Sequence, residues 1–215
     1  MQNLQDTNLQ ASKLQAQLTT IVDNLTENSY AICDGFLPAQ VIKALADVAE
    51  KRFMAGEMLI AKTGKANHVQ QTIFRHDSIY WLDEHSQHSF TQAYFTQIAL
   101  LKNTLNQQLM MNLHDLETHL AVYPIGGVYL KHLDQLKQIN DVPSPIRQLS
   151  SVLYLNDNWQ AHEGGELRLH LSAHEYIDIL PTAGRLVLFL SAKFWHEVLP
   201  ATRTRISLTG WFRSR

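Results

Sequence analysis

Three side chains in this sequence have the types and spacing to share a metal ion. His132 and Asp134 stand either side of Leu133 in the stretch Tyr123-Pro124-Ile125-Gly126-Gly127-Val128-Tyr129-Leu130-Lys131-His132-Leu133-Asp134. On a strand, alternate side chains face the same way, so the imidazole and the carboxylate share one face and Leu133 takes the other. A third ligand must come from elsewhere. His196 is the best candidate, in the segment Phe194-Trp195-His196-Glu197-Val198 ahead of a turn at Leu199-Pro200-Ala201. Two imidazoles and one carboxylate on one face of an octahedron leave three positions open, the arrangement expected of non-haem Fe(II) oxygenases. A structural zinc site closes its coordination with protein ligands, usually including cysteine, and Cys33 is the one cysteine here.

A place for an acid is expected beside the metal. In Arg205-Ile206-Ser207-Leu208-Thr209-Gly210-Trp211 the alternation puts Arg205, Ser207, Thr209 and Trp211 on one face, with Ile206 and Leu208 on the other. A guanidinium held among strands can grip a carboxylate through two parallel hydrogen bonds. If this strand pairs with the one carrying His196, the guanidinium stands one small molecule's length from the metal. A ligand that chelates iron at one end and carries a carboxylate at the other spans that gap, and 2-oxoglutarate fits the description.

At this point the residues resemble a known family. The C-terminal half is similar to the Fe(II)/2-oxoglutarate-dependent prolyl 4-hydroxylases, nearest to the hypoxia-inducible-factor type and its bacterial relatives. The pattern is Tyr-Pro-x-Gly-Gly-x-Tyr-x-x-His-x-Asp from Tyr123 to Asp134, then Tyr154-Leu155-Asn156 and Gly164-Gly165-Glu166-Leu167-Arg168. It closes with His196-Glu197-Val198, Pro200 and Arg205. His-x-Asp alone is a weak signal; the ordered set is a specific one. The resemblance covers about residues 75–213 well and the first 70 poorly.

The resemblance implies a dioxygenase that uses Fe(II), 2-oxoglutarate and O2, with ascorbate as a candidate reductant. It hydroxylates a prolyl residue in a protein substrate and yields succinate and CO2. It implies that His132, Asp134 and His196 hold the metal and that Arg205 and Tyr154 bind the distal carboxylate, with Thr209 as a second donor and Tyr123 nearby. It places Tyr129 and Trp211 against the target proline, and Arg147, Arg75 and Asp77 near the substrate. Each of these also has an ordinary reading: Tyr154 as a core tyrosine, Arg147 as a surface charge, Arg75 and Asp77 as a salt bridge on an exposed edge strand. Two other functions stay open: oxygenation of another residue or a small molecule, and a metal-binding jelly roll acting as a sensor. A carboxylate clamp argues against the sensor. A translation factor or ribosomal protein is a candidate substrate.

The elements that must position these residues follow from patterning. Seven short segments rich in Val, Ile, Leu and Tyr run from residue 118 to residue 212, separated by Gly, Pro, Asn and Asp. Such a series predicts a jelly roll with a metal in its mouth. Before it, apolar residues at helical spacing predict helices over 3–27, from Pro38 to about Ala55 with Gly56 as the stop, and from near Ser89 to about Met111. Tyr30-Ala31-Ile32-Cys33 reads as a strand. The fold class expected is a double-stranded β-helix, mainly β, with N-terminal helices packed on one sheet. Residues 1–115 are expected to be integral to the same domain as a catalytic core over 116–215. Polar, unpatterned residues 61–72 and the proline-bearing stretch 135–148 read as loops at the rim of the site. His114 and His119 read as surface or half-buried histidines, and Cys33 as a small buried residue.

Composition excludes other classes. A net charge of -2 offers no basic field for nucleic acid or a membrane surface. One cysteine allows no internal disulfide and fits a reducing compartment. The first residues lack the basic start and apolar run of a signal peptide, and no apolar run is long enough to span a bilayer. A cytoplasmic protein is expected.

Overall fold

The computed structural model describes residues 2–61, 75–135 and 145–214, with residues 2–11 as backbone only. Most of the loop expected at 61–72, and most of the rim expected at 135–148, lies outside the described residues.

Helix α1, Gln2–Asn28, buries Leu18, Ile21, Val22 and Leu25, which recur at helical spacing on one face. Ser29 ends it in a left-handed conformation (φ 66°) and turns the chain into strand β1, Tyr30–Cys33. Helix α2, Ala39–Met54, buries Ile42, Leu45 and Ala49. Pro38 was expected at its first helical position; it is instead the extended residue before the helix (φ −56°, ψ 141°). Helix α3, Ser89–Leu109, buries Tyr94, Ile98, Leu101 and Leu105. Ser89 begins this helix rather than capping it, since His88 is the cap and makes no side-chain hydrogen bond.

The remaining strands are β2 Leu59–Ile60, β3 Ser78–Trp81, β4 Asp115–Tyr123, β5 Tyr129–His132, β6 Ile146–Tyr154, β7 Leu167–His170, β8 Tyr176–Ile179, β9 Leu186–Leu190, β10 His196–Val198 and β11 Arg205–Ser214. They form a seven-stranded sheet ordered β1-β9-β6-β11-β4-β3-β2 and a four-stranded sheet ordered β5-β10-β7-β8. The sequence pattern shows the long strands well. It misses β2, and the pairing considered between the Arg205 strand and the His196 strand is not formed. Strand β11 pairs with β4 and β6, whereas β10, which carries His196, pairs with β5 and β7 in the other sheet. Arg205 and His196 therefore face one another from different sheets rather than lying side by side on one.

This layering follows from strand alternation. On one face of the large sheet Leu120, Val122, Leu149, Leu153, Leu188, Ile206, Leu208 and Phe212 join the helices in one hydrophobic core. On the other face Val152, Tyr154, Val187 and Phe189 meet Leu167, Leu169, Ile179 and Phe194 on the side of the small sheet. Helices, large sheet and small sheet thus make the double-stranded β-helix expected, with its helices on one sheet only. A fully buried Leu or Ile side chain contributes about 1.5–3 kcal/mol, so this two-sided burial anchors the large sheet while its inner face carries polar groups. Among the described residues, no helix is long and apolar enough to cross a membrane.

Candidate active site

The three candidate metal ligands come together because two short strands of the small sheet pair. His196 on β10 pairs directly with His132 on β5, and their ring centroids are 4.1 Å apart. Asp134 follows just beyond β5. The three ligand atoms lie within 4.8 Å of one another. Nε2 of His132 is 3.6 Å from Asp134 Oδ1, and Nε2 of His196 is 3.4 Å from Asp134 Oδ2.

The second nitrogen of each ring fixes what this cluster can do. Nδ1 of His132 donates to the Leu130 carbonyl at 2.7 Å, and Nδ1 of His196 donates to the Phe194 carbonyl at 3.1 Å. With both Nδ1 protons so committed, each neutral ring turns its Nε2 lone pair toward Asp134. Two lone pairs facing a carboxylate repel unless a cation sits between them, so the donor set fits a divalent metal. Burial pushes His196 down to about 4, which favours the neutral ligand form. Burial alone would raise the Asp134 carboxyl. The adjoining His196 and His132 when protonated, with a hydrogen bond from Ser150, outweigh it and hold the group well below the usual carboxylate range; with the rings neutral, a cation between them takes that part. Ser150 Oγ donates to Asp134 Oδ2 at 2.6 Å and lies 2.8 Å from Ser191 Oγ.

The candidate acid-binding end is built on the large sheet. Strand β11 presents Arg205, Ser207, Thr209 and Trp211 inward, as the alternation predicts, because Ile206, Leu208 and Phe212 belong to the helix-side core. Cross-strand register sets Arg205 beside Tyr123 and Ser207 beside Tyr154. The Arg205 guanidinium is 5.0 Å from the ring centroids of both tyrosines. Arg205 is 2% exposed, yet it makes no salt bridge among the described residues and its Nε has no partner. The Tyr154 hydroxyl is also buried without a partner, and burial raises its pKa while Arg205 pulls the other way. Buried polar groups are normally hydrogen-bonded. A buried cation and a buried hydroxyl, both open and adjacent, fit a carboxylate. Ser207 and Thr209 add hydroxyls 3.3 Å apart. Gly165, at φ 75°, lets the chain pass close beside Ala201 and Trp159, where a Cβ would stand 2.9 Å from Ala201 Cβ and 3.0 Å from Trp159 Cζ2.

The residues expected near the substrate form two stacks. Arg75 and Asp77 make a buried bidentate pair, with Nη2 to Oδ2 at 2.8 Å, so the exposed surface bridge considered for them is overturned. Burial works against the Arg75 charge, but Asp77 more than compensates and its pKa rises. The Arg75 guanidinium lies over Tyr129 at 4.8 Å, and Tyr129 stacks on the ligand His132 at 3.6 Å and 16°. On the large sheet, the Arg147 guanidinium lies 3.6 Å over the Trp211 ring and pairs with Glu117 at 2.8 Å. Arg147 is therefore a stacked, paired group rather than a free surface charge. Tyr129 and Trp211 stand on different sheets.

Three site residues escaped the sequence reasoning. Ser150 and Ser191 brace Asp134. His119, expected to be exposed or half-buried, is 1% exposed, with its ring 4.8 Å from Trp81 and 5.5 Å from Trp211 and its Nε2 3.4 Å from Arg75 Nη2. Its signal was present, because His119, Ala121 and Tyr123 alternate on one face of β4.

Comparison with known proteins agrees with this geometry. A sequence model described as the 2OG-Fe(II) oxygenase superfamily matches residues 118–213. The chain is similar to the crystal structure of a Pseudomonas putida prolyl-4-hydroxylase, with 40% identity and a TM-score of 0.80, over 92% of this chain and 99% of that one. It is 30% identical to a Caenorhabditis elegans hypoxia-inducible factor prolyl hydroxylase over 91% of this chain, and spans 28% of the length of that curated relative. A Trichoplax adhaerens prolyl hydroxylase, solved with a hypoxia-inducible factor peptide fragment, shares the fold at a TM-score of 0.84 and 23% identity. The chain belongs to the 2OG-Fe(II) oxygenase superfamily, within its prolyl 4-hydroxylase family.

Proposed function

We propose that this chain is an Fe(II)- and 2-oxoglutarate-dependent dioxygenase that hydroxylates a prolyl residue in a protein substrate. The observation that carries this reading is a two-histidine, one-carboxylate cluster set opposite a buried, unpaired Arg205 and Tyr154. His132, Asp134 and His196 hold the metal through the two Nε2 atoms and the carboxylate. Arg205 receives the distal carboxylate of 2-oxoglutarate, with the Tyr154 hydroxyl as a donor, Thr209 as a second donor and Tyr123 forming the wall behind. When bound, iron and 2-oxoglutarate supply the oxidising chemistry that places a hydroxyl on an unactivated carbon, with decarboxylation to succinate and CO2. The protein's own part is positioning and exclusion. Ser150 fixes the carboxylate, the Leu130 and Phe194 carbonyls fix the ring orientations, and the apolar walls at Val152, Phe189 and Phe194 keep water out.

Similarity to the Pseudomonas putida prolyl-4-hydroxylase over nearly the whole chain supports proline as the target. The peptide in the Trichoplax structure supports a protein substrate. Tyr129 and Trp211, with Arg147, Arg75 and Asp77 behind them, are the side chains we assign to the target proline and its flanks. In this reading the substrate is an abundant translation protein such as an elongation factor or a ribosomal protein, ascorbate keeps the metal reduced, and the compartment is the cytoplasm. The test is to incubate the iron-loaded protein with 2-oxoglutarate and a cell extract, then map oxygen gain by mass spectrometry. One added oxygen on a prolyl residue, matched by succinate, is expected. Succinate with oxygen on another residue or on a small molecule would redirect the substrate assignment. No turnover of 2-oxoglutarate would overturn the enzyme reading.

A further inference from the structure

Asn156 belongs to the stretch Tyr154-Leu155-Asn156, and the site described above gives it no task. It is 4% exposed. Strand β6 ends at Tyr154, and its first pair with β11 is Tyr154 with Ser207. Arg205 and Ile206 therefore run past the end of β6, where the ladder on that side stops. Leu155 N–H still donates to the Ile206 carbonyl at 3.2 Å. The reciprocal bond, from Ile206 N–H, goes to Asn156 Oδ1 at 2.6 Å. The side-chain amide thus supplies the acceptor that a longer strand would have supplied. Its Nδ2 donates to the Pro181 carbonyl at 2.8 Å, and its own backbone carbonyl accepts from Ala183 N–H at 2.9 Å.

We infer that Asn156 is the positioning residue of the carboxylate clamp: it ties the first residues of β11 to the turn before β9, so that Arg205 and Tyr154 keep a fixed separation. Arg205 immediately precedes the residue it holds, and Tyr154 stands two residues before it on the same strand end. Both clamp groups therefore hang from one buried amide. The task needs an acceptor and a donor on one short side chain. Asp keeps the acceptor and loses the donor; Ala and Leu lose both and leave Ile206 N–H and the Pro181 carbonyl buried and unpaired. The inference rests on the 2-oxoglutarate reading above. It adds that the affinity for the acid is set by a residue that does not touch it, and that the metal end is independent of that residue.

The experiment measures Fe(II) affinity and 2-oxoglutarate affinity separately, by anaerobic calorimetry on wild type, Asn156→Ala, Asn156→Asp and Leu101→Ala. Leu101 is a fully buried residue of α3 in the core on the helix side of the large sheet, the face away from Arg205 and Tyr154, and its variant controls for general loss of stability. Expected for Asn156→Ala is a 2-oxoglutarate affinity at least about tenfold weaker, with Fe(II) affinity within about twofold of wild type. Asn156→Asp should fall between wild type and Asn156→Ala. Leu101→Ala should lower the melting temperature and leave both affinities in place. Wild-type 2-oxoglutarate affinity in Asn156→Ala, a parallel loss of Fe(II) affinity, or an equal loss in Leu101→Ala would each overturn the inference. If Asn156→Ala does not fold, Asn156→Asp decides alone, and unchanged 2-oxoglutarate affinity in it overturns the proposal. A wild type that binds Fe(II) but not 2-oxoglutarate would overturn the functional reading itself.

Discussion

The two ends of the candidate site hold their charges in opposite ways. At the metal end every polar group has a neighbour: the imidazole Nδ1 atoms bond backbone carbonyls, and Asp134 is held by Ser150 and faced by both rings. At the acid end Arg205 and Tyr154 are as deeply buried, yet the Arg205 Nε and the Tyr154 hydroxyl have no hydrogen-bond partner. The small sheet supplies the first arrangement with two short strands in register; the large sheet supplies the second with long strands covered on both faces. A buried guanidinium without an anion costs free energy that only a ligand can return. The acid end is thus poised for an anionic small molecule, while the metal end is organised by the protein itself.

If the two ends are independent, their variants should separate cleanly. Asp134→Ala should abolish Fe(II) binding, read by calorimetry. Arg205→Ala should leave Fe(II) binding intact and weaken 2-oxoglutarate by roughly 10- to 100-fold, because charge-assisted hydrogen bonds contribute about 1.5–3 kcal/mol. Loss of metal in Arg205→Ala would break the comparison. Ser150→Ala tests the bracing of the metal carboxylate, where a lost supporting hydrogen bond costs about tenfold in metal affinity. Unchanged affinity would mean that Asp134 needs no brace.

The smallest effect on ligand binding is expected at His119, whose signature is in stability. Burial, with Arg75 and Arg147 nearby, pushes it from the usual 6.5 down to about 3. The unfolded chain takes up the proton near pH 6.5, the folded one only near pH 3. Stability is therefore fully present above pH 6.5 and is lost as pH falls toward 3, at up to roughly 1.4 kcal/mol per pH unit. Denaturant titrations of His119→Leu across that range should show a slope shallower by up to one proton. An unchanged slope would show that His119 is charged in the fold.

What the sequence displayed, and what it hid, divides along the same physical line. Period-two alternation identified the inward face of β11, because alternation is a local property of one strand; His132 and Asp134 do come together, but Asp134 lies past the end of β5, so strand alternation does not account for its place. Register between strands is not local. Alternation sets Ser150 on the face of Tyr154, but the partner it meets there is not a local property, so the brace on Asp134 became visible only in the fold. That the Arg205 strand and the His196 strand lie in different sheets was hidden for the same reason. His119 was misplaced because its alternation with Ala121 and Tyr123 shows which residues share its face, but not that β3 and β11 flank β4 and bury that face. Arg75 and Asp77, two residues apart, could equally have been a surface pair; Tyr129 and His119 from other strands bury them.

The most direct test of the account is an anaerobic titration with Fe(II) and 2-oxoglutarate, following the visible charge-transfer band of the chelate. The account predicts a band in the wild type, its loss in His132→Ala, and a shift to higher 2-oxoglutarate concentration in Arg205→Ala. Bound metal with no band at any 2-oxoglutarate concentration would contradict it, and would leave a metal-binding jelly roll of another kind.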